Sequence, residues 1–178
     1  MLDSKESLWY FLGNSDAVCI TTNGYVKKDG TAVMGKGIAL QAVEQWPEVS
    51  RILGDLIRRK GNRVHILEGI PNYLEKAKLV SFPVKPKSIV YNGENLAKSI
   101  NWGKFKIGQS LPGWMAKGDI RLIEKSCKQL LELTDKNKWE KVVLPKPGCG
   151  AGELTWNVVE EILEEYFDNR FIISYLER

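Results

Sequence analysis

Apolar residues along this chain fall into two alternating patterns. Short runs rich in β-branched and aromatic residues occupy positions 16–22, 63–67, 78–82, 141–144 and 171–175, and each predicts a strand. Between them, apolar residues recur at the three- and four-residue spacing of a helix face. Ile38, Ala39, Ala42 and Val43 predict a helix starting near Gly37. Val49, Ile52, Leu53, Leu56 and Ile57 predict a second, with Pro47 in its first turn and Gly61 as its C-terminal cap. Ile120, Ile123, Cys127, Leu130 and Leu131 form a third stripe behind Asp119, an N-cap or first-turn acid. Trp156, Val159, Ile162, Leu163, Tyr166 and Phe167 form a fourth, and residues 4–12 predict a short helix at the start. Residues 86–117 have no period and mix Gly, Asn and Pro with Tyr91, Trp102, Phe105 and Trp114, so an insertion or lid is expected there. Strands alternating with helices predict an α/β domain in three layers, its sheet covered on both faces.

Composition narrows the class. A chain of 178 residues, 43% hydrophobic and 27% charged, suits one globular domain with a real core. Asp3, Lys5 and Glu6 interrupt the early apolar residues, so no secretory leader is read and a cytoplasmic protein is expected. No apolar run nears the ~20 residues of a membrane-spanning helix, and no membrane association is expected. Cys19, Cys127 and Cys149 are odd in number and far apart, which predicts free thiols rather than disulfides or a metal site. The net charge of +4 is mild and mostly interleaved with acids, so it does not by itself call for a nucleic acid. The exception is a stretch holding Lys76, Lys78, Lys85 and Lys87 with no acid after Glu75, suited to a phosphate-bearing ligand.

Two glycine-rich segments carry the candidate chemistry. Residues 30–37 match GxxxxGK, but Gly37 stands where a P-loop needs a magnesium-binding hydroxyl, and Asn23 to Asp29 separates the motif from its strand. Triphosphate hydrolysis is set aside. The shared physics survives: glycines free backbone N–H groups to approach a phosphate at a helix N-terminus. Gly148-Cys149-Gly150-Ala151-Gly152 follows one predicted strand and precedes a helix, the same arrangement again. His65, the only histidine, sits in a strand pattern and is read as packed or surface rather than as a base. Cys149 has no matched base and is read as a small loop residue, and Trp102 and Trp114 as anchors of the insertion more than as caps on a ligand.

Four blocks, in order, resemble the macrodomains, in particular the branch of the terminal ADP-ribose glycohydrolase and the DNA-ADP-ribosylation antitoxin. They are Asp16-Ala-Val-Cys-Ile-Thr-Thr-Asn23, Met34-Gly-Lys-Gly-Ile-Ala39, Val80-Ser-Phe-Pro-Val-Lys85 and Leu144-Pro-Lys-Pro-Gly-Cys-Gly-Ala-Gly-Glu-Leu-Thr-Trp156. The resemblance implies a three-layer α/β/α fold with a mixed central sheet, one macrodomain over 1–178. It implies ADP-ribose, or an ADP-ribosylated nucleic acid or protein, as partner, and no cofactor. Asn23 falls by the distal ribose, Gly35, Lys36, Gly37, Ile38 and Ala39 on one side of the diphosphate, and Pro147, Gly148, Cys149, Gly150, Ala151, Gly152, Glu153 and Leu154 on the other. Lys85 falls at the position of the branch's catalytic lysine. Relatives that use a lysine and an aspartate place the acid where this chain has Gly152; the family's first strand and its adenine-contacting aspartate are not recognised, with Asp3 a substitute or a helix cap. The resemblance implies an ADP-ribosyl hydrolase, with an ADP-ribose 1″-phosphate phosphatase and a non-catalytic binding module as alternatives.

Overall fold

The computed structural model describes residues 1–176. Among the described residues, eight strands and four α-helices run in the order β1 (Leu2–Ser4), β2 (Ala17–Asn23), α1 (Gly37–Gln45), α2 (Val49–Lys60), β3 (His65–Ile66), β4 (Lys78–Lys85), β5 (Ser88–Val90), β6 (Ser110–Pro112), α3 (Ile120–Asn137), β7 (Val142–Pro145), α4 (Trp156–Tyr166) and β8 (Phe171–Ser174). Six strands form one sheet in the order β1-β8-β7-β2-β4-β3. All neighbours are parallel except β3, which runs antiparallel to β4, so the sheet is mixed as expected.

Strand β2 shows how the sequence builds three layers. Its side chains alternate across the sheet, and both faces are apolar because both are covered. Val18 and Ile20 join Ala39, Ala42, Leu53 and Ile57 of α1 and α2 in one core. Ala17 and Cys19 join Ile123, Cys127 and Leu130 of α3 and Val159 and Leu163 of α4 in the other. Burial holds the Cys19 thiol above its ordinary range and pushes the Cys127 thiol up to about 12, and all three cysteines are free. Asp119 caps α3, its carboxylate accepting the Leu122 N–H at 3.1 Å.

Several expectations need correction. Residues 4–12 are not an α-helix: Leu2–Ser4 is an edge strand parallel to β8, and Leu8–Gly13 forms a 3-10 turn that buries Leu8, Phe11 and Leu12. The apolar spacing was sound, but six residues are too few for a stable α-helix. A three-residue strand is too short to leave an apolar pattern in the sequence. Helix α2 begins at Val49 behind Glu48, so Pro47 lies before the helix rather than in its first turn. Strand β4 runs on through Pro83 to Lys85; β3 pairs only up to Ser81, so proline sits where β4 has one partner strand and its missing N–H is tolerated. Residues 86–117 are not structureless. β5 and β6 pair antiparallel, and Tyr91, Leu96 and Leu111 bury a small core of their own beside Ile89, Ile100, Trp102, Phe105 and Met115.

Candidate functional site

The C-terminal ends of β2, β4 and β7 open into one cleft of about 510 Å³. This is where a parallel sheet places its ligands, because loops after neighbouring strands diverge there. Gly35, Lys36, Gly37, Ile38 and Ala39 form one wall, at the start of α1. Gly37 has φ +58°, a left-handed turn that lets the chain enter the helix and favours glycine. An added Cβ at Gly35 or Gly37 meets nothing within 4 Å, so the backbone there faces open space. The first N–H groups of α1 are thus available to an anion.

The opposite wall is the loop between β7 and α4. Gly148 has φ +73°, and Leu154 N–H donates to Gly148 O at 3.0 Å to close the turn. A Cβ at Gly152 would press into the Gly148 carbonyl oxygen. Gly118 N–H donates to Gly152 O at 2.8 Å, tying this loop to the segment before α3. Lys146 lines the cleft with its ammonium 3.9 Å from the Tyr175 ring centroid and 4.6 Å from that of Trp156. The cation–π contacts fix a flexible lysine at the rim.

Lys85, the last residue of β4, lies on the floor between these walls. It is 8% exposed. Its Nζ donates to Ala151 O at 2.8 Å and to Trp114 O at 3.3 Å. Burial, helped by the nearby Lys36 charge and opposed by Glu153, pulls its pKa down to about 8. An amine so placed is part-neutral near pH 8 and can act as a base or nucleophile.

Of the residues singled out in the sequence, the structure brings Asn23, Gly35, Lys36, Gly37, Ile38, Ala39, Lys85, Gly148, Gly150, Ala151 and Gly152 to the cleft. Pro147, Cys149, Glu153 and Leu154 do not line it. Pro147 is buried, Leu154 packs under Gly148 and Gly118, and burial raises the Cys149 thiol, which suits a filler. Glu153 has a left-handed backbone, φ +59°, and its Oε1 accepts the Lys98 N–H at 2.7 Å. Asn23 spends its amide holding the next loop, donating to Val33 O at 2.7 Å and accepting from Tyr25 N–H at 3.0 Å. Asp3 sits on the edge strand β1, outside the cleft lining. Among the basic stretch, only Lys85 reaches the cleft; Lys76, Lys78 and Lys87 are exposed elsewhere.

Sequence reasoning missed the insertion's part in the site. Ala97, Ser99, Ile100 and Trp114 line the cleft, so Trp114 faces the ligand space rather than only anchoring the insertion. Trp102 does anchor, its Nε1 donating to Ala97 O at 3.0 Å. Tyr25, Lys27 and Lys146 were missed as well. Lys146, next to the glycine loop, had a signal in position alone. His65 is packed, its Nε2 2.9 Å from Gly61 O, and burial lowers its pKa.

A mixed six-stranded sheet between helices, with a glycine-walled cleft at its strand ends, is the macrodomain fold, and this chain has it. Its solved neighbours include macrodomains of DarG. The macrodomain of Mycobacterium tuberculosis DarG matches 99% of this chain and 97% of its own at TM-score 0.67 and 20% identity. That of Thermus aquaticus DarG matches 99% and 97% at TM-score 0.67 and 18% identity. Thermosipho africanus DarTG in complex with ADP-ribose matches 92% of this chain and 38% of its own at TM-score 0.62 and 19% identity. Among curated proteins, a DNA ADP-ribosyl transferase-DNA ADP-ribosyl glycohydrolase fusion protein of Thermosipho africanus is 25% identical over 142 residues, 79% of this chain. The chain spans only 34% of that relative's length. No family model matches the sequence.

Proposed function

We propose that the cleft binds ADP-ribose and that the protein is an ADP-ribosyl hydrolase, releasing ADP-ribose from a nucleic acid or protein with Lys85 as the reacting amine. The observation that carries this is Lys85 itself, with a pKa near 8, held between two glycine walls. The walls offer backbone N–H groups and the α1 N-terminus to a diphosphate, and Lys36 adds a charge beside them. A diphosphate seated there brings the distal ribose towards Asn23 and Lys85. The neutral amine then attacks the anomeric carbon; the bond from that carbon to the macromolecule breaks, and the leaving group takes a proton from water or from the new ammonium. Water hydrolyses the resulting carbon–nitrogen bond and restores Lys85. The likeness to the fusion protein, named for DNA ADP-ribosyl glycohydrolase, favours a nucleic acid as the modified macromolecule.

One observation favours a non-catalytic binding module instead. Lys85 Nζ rests on two carbonyls, and among the described residues no carboxylate is hydrogen-bonded to it to relay protons. Lys85→Ala decides between them. The hydrolase reading expects release of ADP-ribose from modified oligonucleotide or protein to fall at least about 100-fold, ~2.7 kcal/mol of barrier, with ADP-ribose binding by calorimetry within a few-fold of wild type. Equal release by both proteins rejects Lys85 chemistry; no release by wild type from either substrate leaves the binding module. Free ADP-ribose raises the melting temperature under both readings, because only the folded state binds it.

A further inference from the structure

Two adjacent residues of the insertion, Lys98 and Ser99, are each hydrogen-bonded to a different glycine wall. Ser99 Oγ accepts from Lys36 Nζ of the first wall at 3.0 Å. Lys98 N–H donates to Glu153 Oε1 of the second at 2.7 Å. The first bond joins two exposed side chains and is weak. The second is also solvent-exposed, but it ties a main-chain donor to a carboxylate, a stronger type of bond.

Glu153 is an unexpected residue for its position. Its φ of +59° lies in the left-handed region that L-residues adopt at a cost and glycine adopts freely. Its Oε2 is buried and has no hydrogen-bond partner among the described residues. Strain and a half-satisfied carboxylate persist only where the surroundings hold them. The neighbouring Ala97, Ser99 and Ile100 line the cleft together with Trp114 of the same insertion, and the Lys98 bond lies among the first three.

We propose that Glu153 is a positioning residue that latches the 97–100 segment of the insertion to the second glycine loop and so forms the outer wall of the cleft. Its carboxylate touches no reacting atom; it acts through Lys98. Closing that wall narrows the path by which a bound ligand leaves, a consequence that rests on the ADP-ribose reading.

The latch is tested without any ligand. Glu153→Gly removes the carboxylate and relieves the positive φ, so the loop keeps its turn. Glu153→Gln keeps an acceptor oxygen. Amide hydrogen exchange at Lys98 is read as a ratio to amides of the β2–β4 ladder, which cancels any change in global stability. The ratio is expected to rise about tenfold in the glycine variant and to stay within threefold of wild type in the glutamine variant. An unchanged ratio in the glycine variant overturns the proposal, and so does a glutamine variant that exchanges as fast as glycine. Failure of ADP-ribose to shift the melting temperature overturns the ligand reading and leaves this result standing.

Discussion

The two glycine walls of the cleft resemble one another in sequence but use glycine for opposite reasons. In the first wall, a side-chain carbon at Gly35 or Gly37 would enter open space, so what glycine provides there is access to the backbone. In the second, a side-chain carbon at Gly152 would strike the carbonyl of Gly148, and one at Gly148 would lie 2.8 Å from Leu154 Cδ1 and 3.0 Å from Ile123 Cδ1. Glycine there permits the loop to fold on itself and onto α3. The second wall is a packed scaffold, and the first is a bare stretch of backbone open to the cleft. Gly150 is the one glycine of the second wall with open space around its missing carbon, which marks it as that loop's approach point.

The sharpest way to break this comparison is to add one methyl group to each wall. Gly152→Ala must displace main chain, because the obstructing atom is a carbonyl and not the end of a flexible side chain. A loss of about 3 kcal/mol in unfolding free energy is expected, measured by urea denaturation. Gly35→Ala is expected to change stability by less than ~0.5 kcal/mol and instead to weaken ADP-ribose about tenfold, ~1.4 kcal/mol, by calorimetry. A Gly152→Ala protein as stable as wild type contradicts the scaffold assignment. A Gly35→Ala protein that binds normally shows that the first wall does not meet its ligand through bare backbone.

The same contrast explains what the sequence revealed. Strands β2, β4 and β7 are buried on both faces and read as apolar runs, and both glycine loops follow from their composition and from the helices behind them. Lys85 was legible because the run of β4 points to it, although Pro83 hid the last turn of that strand. The role of each glycine was not legible, since the colliding carbonyl of Gly148 and the empty space at Gly35 are tertiary facts. The insertion was opaque for a related reason. Its β5–β6 hairpin has three-residue strands and its core rests on Tyr91, Leu96 and Leu111, too few residues to make a period. Ser99 and Ile100 therefore reached the cleft unannounced, and Trp114 reached it against the preferred reading of it as an anchor. Edge strand β1, also three residues long, was lost in the same way.

Electrostatics sets the two walls against each other at Lys85. Burial lowers the lysine's pKa most, Lys36 of the first wall lowers it further, and Glu153 of the second raises it. The folded protein releases the proton near pH 8, whereas the unfolded chain holds it to about 10.4. Between those values the unfolded chain binds more protons, so this group's contribution to stability rises with pH. Lys85→Met abolishes that slope. The unfolding free energy of wild type minus that of Lys85→Met is therefore expected to climb from pH 7.5 to 10.5, other titrating groups cancelling in the difference. A flat difference would mean that Lys85 keeps an ordinary proton affinity in the fold. Lys36→Met is expected to move the onset of the climb to higher pH and Glu153→Gln to lower pH, each by less than burial does. Opposite shifts from the two walls require both to lie close to the amine in solution; a shift from one wall alone would assign the charge environment of Lys85 to that wall.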